Sequence, residues 1–320
     1  MRTLLALLFI LALTCTATAS SKPVLRLSGP PIMESVPLLA LSQDDQPWAQ
    51  GFDGQFIPWH SPDMLRAMVA GGQVDAAIVT TAVAAMLRSK GVKCRVALLH
   101  EAPVWIISTR QGPASLDSLK GTLLFPFGPG EMPELFFKAT MADSSGTVMT
   151  RHTGGALEAV NLLLAGQGDH AMLSDPTASI AIQRSRSMQD KGVPQLVKRV
   201  DMRTAWQEAF PGHHLAASCV AFFGEMSEDS RLIQAFNMAH EHACDWVQHH
   251  PKATQKLLHQ KFPALAAQVQ HGAIQDLAIR TQNGPEAVTD ALFYLSKIYA
   301  LSPAAVGGSM PDKTLFETGQ

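Results

Sequence analysis

The side chains able to hold or transform a small molecule fall, in this chain, into short breaks that follow apolar runs. Pro31, Met33 and Glu34 follow the run Val24 to Ser28, Trp59 closes the next run, and Thr80 and Thr81 follow Ala76 to Val79. The placement recurs at Gly128, Glu131 and Met132, at Thr153 within His152 to Gly155, and at Asp175 within Ser174 to Thr177. Carboxylates and tryptophans in such breaks can meet a cation or stack on a ring, and methionines make adaptable walls. Each also has a purely local use: Pro30-Pro31 as a stiff turn, Thr80-Thr81 and Asp175-Pro176 as caps, Glu34 and Glu131 as complements of a helix dipole, Trp59 and Trp105 as core. Apart from Arg151, at a strand end, these loops carry no Lys or Arg. An anion would therefore depend on helix N-termini, whereas an amine, a protonated heterocycle or a polar neutral molecule suits Glu34, Glu131 and Asp175.

Catalytic and metal signatures do not assemble. Ser28, Ser174 and Ser218 are available hydroxyls, but none sits in a Gly-x-Ser-x-Gly elbow. His240 and Cys244 are spaced i, i+4 on a helical stretch, with His249, His250, His259 and His271 crowding the same region. No Cys-x-x-Cys or His-Glu-x-x-His accompanies them, so a solvated, histidine-rich helix face is expected and no metal, cofactor or catalytic residue is assigned.

The elements that must position these loops alternate. Val24 to Ser28, Gln55 to Trp59, Ala76 to Val79, Arg95 to Leu99 and Val104 to Ser108 read as strands; Met33 to Leu41, Met64 to Ala70 and Ala82 to Lys90 read as helices between them. After Gly112-Pro113 the pattern restarts, with strands at Leu123 to Phe127, Val148 to Arg151 and His170 to Leu173 and helices at Glu131 to Met141, Ala156 to Ala165 and onward to about Arg184. Leu215 to Phe223 is a single returning strand, followed by helices over Asp229 to Val247, Pro251 to Leu258, Pro263 to Val269 and Glu286 to Tyr299. This is an α/β chain with two mostly parallel sheets flanked by helices. A chain that builds one lobe, then another, then returns must cross the gap twice, and ligands of open α/β sheets bind beyond the strands' C-terminal ends.

The composition bounds the function. The 320 residues suggest one large or two ordinary domains, 47% hydrophobic and 16% charged residues exclude wholesale disorder, and 25 basic against 27 acidic residues leave no excess for nucleic acid or an anionic membrane. Residues 1–19 read as a cleaved signal peptide, with Arg2, the apolar run Leu4 to Leu13 and the small-x-small site Ala17-Thr18-Ala19. Cys15 offers a lipid anchor instead, but Ala12-Leu13-Thr14 fits that processing box poorly. The mature chain is expected to be exported and not inserted in a membrane, with Cys94, Cys219 and Cys244 as small buried hydrophobes sharing at most one bridge.

Leu65 to Ala77, with its helix ending in Gly71-Gly72-Gln73-Val74-Asp75, resembles a segment of the type II periplasmic binding proteins that serve ABC importers, most closely the nitrate, sulfonate, taurine and thiamine-precursor branch. The same pattern recurs at Ala159 to Ala171, with Gly166-Gln167-Gly168-Asp169. Ser115 to Gly121 resembles that family's entry into its second lobe, and Ser218 to Gly224, Ser227 to Val247 and Pro251-Lys252-Ala253 its return strand and following helices. The resemblance implies two lobes joined by two β hinge segments: residues 20–109 with 220–320, and 110–219. It implies a periplasmic monomer that traps a small-molecule ligand by hinge closure and passes it to a membrane permease. The thiamine-precursor branch includes enzymes with a cysteine-rich motif, which this chain lacks. An exported enzyme on the same scaffold and a sensor presenting its closed form to a receptor are the alternatives.

Overall fold

The computed structural model describes residues 22–43, 51–141, 148–266 and 279–317. The expected leader, Cys15 and His271 lie outside these residues.

Eleven strands are described: β1 (Val24–Gly29), β2 (Asp53–Pro58), β3 (Ala76–Thr80), β4 (Cys94–His100), β5 (Val104–Ser108), β6 (Gly121–Pro126), β7 (Val148–Thr153), β8 (His170–Ser174), β9 (Val197–Asp201), β10 (Ser218–Phe223) and the two-residue β11 (Thr281–Gln282). They form two sheets, ordered β2-β1-β3-β10-β4-β11 and β7-β6-β8-β5-β9. Leaving out β11, the two orders are the same permutation. In the first sheet β1, β2 and β3 pair in parallel while β10 runs against both β3 and β4; in the second β6, β7 and β8 are parallel while β5 runs against β8 and β9. Each sheet thus runs mostly one way around one reversed strand, and the first carries a second reversed strand in the short β11 at its edge. The reversal follows from the connection, since β5 and β10 are the strands entered by crossing from the other sheet. Strand pairing puts β5 in the second sheet, so the outward crossing is Glu101 to Pro103, before the boundary at 109 expected from sequence. The return crossing lies between Asp201 and Ser218.

The repeated glycine-to-aspartate segment has a structural cause. Helix α2 (Pro62–Ala70) begins with Ser61 accepting from the Met64 amide and Pro62 in its first turn, and ends where Gly72 takes φ 61°, with the Gln73 amide donating to the Met68 carbonyl at 2.8 Å. Its counterpart in the second lobe, at residues 156–164, ends likewise at Gly166, φ 70°, with Gln167 donating to Leu162 at 2.9 Å. Asp75 then accepts from the Arg26 amide of β1 at 2.8 Å, and Asp169 from the Thr122 amide of β6 at 2.8 Å. Both aspartates pin the first strand of a lobe to the turn leading into its third.

The remaining helices are α1 (Val36–Leu41), α3 (Thr81–Ser89), α4 (Met132–Thr140), α5 (Ala156–Leu164), α6 (Thr177–Ser187), α7 (Met202–Ala209), α8 (Ser230–His249), α9 (Pro251–Lys261), the four-residue α10 (Pro263–Ala266) and α11 (Gly284–Leu301). The helix expected from Met33 divides into a 3-10 turn, Met33–Ser35, and α1, whose Pro37 suits a helix start. Strand β9 and helix α7 were not legible: Val197-Lys198-Arg199-Val200-Asp201 is too polar to show a buried face. One apolar cluster (Leu25, Leu27, Phe56, Phe222, Phe236, Leu258) fills one side of the first sheet, and another (Ile107, Leu124, Leu163, Leu173) one side of the second. The largest is continuous across both sheets, joining Val79 and Cys219 to Phe125 and Phe136 through Trp206 and Tyr294. Among the described residues no helix is long and apolar enough to cross a membrane.

Candidate functional site

The loops after β1 and β8 meet. The Met33 amide donates to the Asp175 carbonyl at 3.4 Å, joining the 3-10 turn of the first lobe to the head of α6 in the second. Ile180, one turn into α6 and 1% exposed, belongs to the first lobe's cluster with Met33, whereas Ala178 and Ala181 on the same helix face the second lobe's own core. Residues from two sheets, far apart in the chain, form this contact because both sheets aim the C-terminal ends of their parallel strands at one gap.

Two of the expected site residues carry the electrostatics of that gap. Glu34 is 2% exposed and its Oε2 has no hydrogen-bond partner. Burial pushes its carboxyl up from 4.5 to about 7, with a smaller upward contribution from the negative charge of Asp175. Asp175 is fully partnered. Its Oδ2 accepts from Lys198 Nζ at 2.7 Å and Trp105 Nε1 at 3.0 Å, and its Oδ1 from the Ser179 amide and hydroxyl at 3.0 and 2.7 Å. Lys198 also lies 4.6 Å from the Trp105 ring centroid, and Arg203, paired with Asp201, lies 5.7 Å from it. The cleft therefore holds a cation that the loops alone did not reveal, and Asp175 already neutralises it.

The other expected residues divide between local duties and open positions. Thr80 accepts from the Val83 amide as the cap of α3, and the Thr81 hydroxyl donates to Ala216 of the return crossing at 2.6 Å. The Thr153 hydroxyl is spent on the Phe125 and Gly155 carbonyls at 3.2 and 2.9 Å. Trp59 is half-buried, and its indole Nε1 is buried without a partner, a second unused polar atom at a strand end. Gly128 is exposed, next to Phe127, which takes a left-handed φ of 72°; Glu131, Met132 and Pro31 are half-buried. Glu131 stands at the N-cap of α4 without capping it. Glu134 instead ties the preceding loop to the helix, accepting from the Gly130 amide at 2.7 Å, and pairs with Lys138 and His152. Burial alone would raise the Glu134 carboxyl, but these partners outweigh it and hold it below its usual value.

Solved structures of similar fold cover most of the chain. An ABC transporter structure from Parabacteroides distasonis superposes with a TM-score of 0.73 at 20% identity, covering 93% of this chain and 100% of that one. The periplasmic aliphatic sulphonate binding protein SsuA of Escherichia coli gives 0.64 at 13% identity, covering 92% and 96%. The periplasmic nitrate-binding protein NrtA of Synechocystis gives 0.59 at 12% identity, covering 89% and 84%. The chain has the type II periplasmic-binding-protein fold. No protein-family model and no curated protein matches the sequence.

Within this binding-protein fold, the histidine-rich helix departs from expectation. His240 and Cys244 do come together, Nδ1 to Sγ 3.6 Å, but inside the core: His240 is fully buried and its ring lies 5.3 Å from that of buried His100. The 3.6-residue period explains it, because Phe236, Ala239, His240, Ala243, Cys244 and Val247 form the inward stripe of α8 while His249 and His250 are exposed. Among the described residues no group of three or more His, Cys, Asp or Glu is placed to hold a metal. The thiols of Cys94, Cys219 and Cys244 are buried and free, and burial pushes Cys94 and Cys244 up to about 12.

Proposed function

We propose that this protein is an exported, periplasmic solute-binding protein that captures a small molecule between its two lobes, leaves it chemically unaltered, and delivers it to the permease of an ABC importer. The observation that carries the reading is the cross-lobe contact at Met33 and Asp175, with Ile180 of one lobe set into the apolar cluster of the other. Only contacts made in the closed state can convert ligand binding into closure, and a contact between the two lobes is of that kind. Proteins of the same fold bind sulphonate in one case and nitrate in another. Here Lys198 is committed to Asp175 and Glu34 has no counter-charge, which favours an amine, a heterocycle or a polar neutral compound over an anion. Pro31, Met33, Glu34, Trp59, Gly128, Glu131 and Met132 remain the contact residues of this reading. Asp175 holds the cleft's shape through Lys198, Trp105 and Ser179, and the hydroxyls of Thr80, Thr81 and Thr153 secure the loops.

Mass spectrometry of small molecules released by denaturing protein purified in its native state tests the proposal. The expected result is one compound in near-stoichiometric amount, unchanged after prolonged incubation with the protein. Its conversion to a product would favour an enzyme on this scaffold.

A further inference from the structure

Glu34 combines three features that belong together in a ligand anchor. It sits at the meeting point of the lobes, it is nine-tenths or more buried, and one of its carboxyl oxygens has no partner. Among the described residues, the groups around it supply no free cation. Helix α1, packed against its turn, carries no ionisable side chain. Strand β1 carries only Arg26, held by Asp75 at 2.5 to 2.9 Å. The opposite lobe presents Asp175, whose charge is met by Lys198, with Arg203 beyond it tied to Asp201. An ionised Glu34 in the closed cleft would be a buried charge without a partner, which a protein avoids by keeping the proton or by finding a cation.

We propose that Glu34 closes the cleft in one of two ways: protonated when no ligand is present, or ionised against an N–H-bearing cationic group of the ligand, which displaces the proton. The inference rests on the solute-binding reading and narrows its ligand class to monocations bearing N–H donors, such as ammonium, amidinium or guanidinium compounds. The exchange balances. The Glu34 carboxylic acid releases one proton to solvent, its carboxylate pairs with the bound cation, and no covalent bond in the ligand changes. Closure without ligand then weakens as pH rises through the neutral range, because opening lets the carboxylate reach water. This direction agrees with the upward displacement of the Glu34 carboxyl.

The test is small-angle scattering of the ligand-free full chain from pH 5 to pH 9, with Glu34→Gln alongside. The radius of gyration of the wild type should rise with a midpoint near neutrality, and that of Glu34→Gln should stay at the compact value throughout. At pH 8, where Glu34 has already lost its proton, benzamidinium, methylguanidinium or methylammonium should return the wild type to the compact value without net proton release, and at pH 5 the same cations should bind with release of about one proton each, measured in unbuffered solution. A wild type insensitive to pH, a variant that follows it, or an opening that none of these cations reverses would overturn the inference. Compaction by nitrate or ethanesulfonate would overturn it too while leaving the solute-binding reading in place. Failure of that broader reading would show as dimensions that answer to neither pH nor any of the five probes.

Discussion

Ile180→Ala isolates lobe closure from folding. Ile180 is 1% exposed, and the cluster that buries it belongs to the other lobe. Its neighbours Ala178 and Ala181 fasten α6 to the second lobe's own core, so the helix keeps its seat when Ile180 is cut back. The substitution removes three carbons from a contact made only when the lobes meet. At roughly 0.8 kcal/mol per buried methylene, closure loses about 2 kcal/mol, or roughly thirty-fold in the ratio of closed to open molecules. Scattering should report a larger radius of gyration for the variant than for the wild type under conditions that keep the wild type compact. Its circular dichroism should be unchanged. An ordinary core position behaves differently: an unchanged radius together with a fall of 2 to 5 kcal/mol in denaturant stability, the cost of a cavity in a fixed core, would refute the reasoning.

Three further outcomes follow from the buried charges and staples. The Glu34 carboxyl is raised from 4.5 to about 7 in the folded chain, so the wild type is penalised as pH climbs through that window and not below it. Urea denaturation should find Glu34→Gln more stable by up to about 3 kcal/mol at pH 8 and indistinguishable at pH 4, and equal stability at pH 8 would count against a buried carboxyl. Burial pushes His240 down to about 3 and holds buried His100 well below its usual value. Their contribution is complete above pH 6.5 and lost as pH falls toward 3, so His240→Leu should flatten the acid limb of the stability profile, and an unaltered limb would place the acid sensitivity elsewhere. Asp75→Ala and Asp169→Ala each strip an acceptor from a strand amide and should each cost about 1 to 3 kcal/mol by denaturant titration, whereas neutral substitutions would deny them the pinning role.

Much of the architecture was legible because it rests on local signals. Unbroken apolar runs such as Ala76 to Val79 mark strands covered on both faces, and Gly72 and Gly166 mark helix ends where a left-handed residue is required. The repeat of helix, glycine and aspartate showed two equivalent lobes. What escaped depends on contacts made far along the chain. Lys198 lies on a strand whose alternation is obscured by Lys198-Arg199, and its partnership with Asp175 spans 23 residues. Ile180 looks like any apolar helix residue until the second lobe is set against the first. Cys244 is buried as its apolar setting indicates, whereas histidine density suggests a solvated face for His240 although the apolar stripe around it already points to burial. At the candidate site, the loops that gather at the gap were visible from the strand ends, but which oxygens remain unused was not. Glu34 and Asp175 are both acidic residues after strands, and only the folded chain separates the satisfied one from the unsatisfied one.

The account depends on two lobes that close on a guest, and scattering from natively purified protein before stripping, after stripping of its small molecules, and after restoring the released fraction addresses this most directly. At pH 8, where an empty cleft is expected to open, the radius of gyration should rise on stripping and return to its first value on restoration. Three superimposable profiles from a preparation that demonstrably lost and regained its small molecule would contradict it.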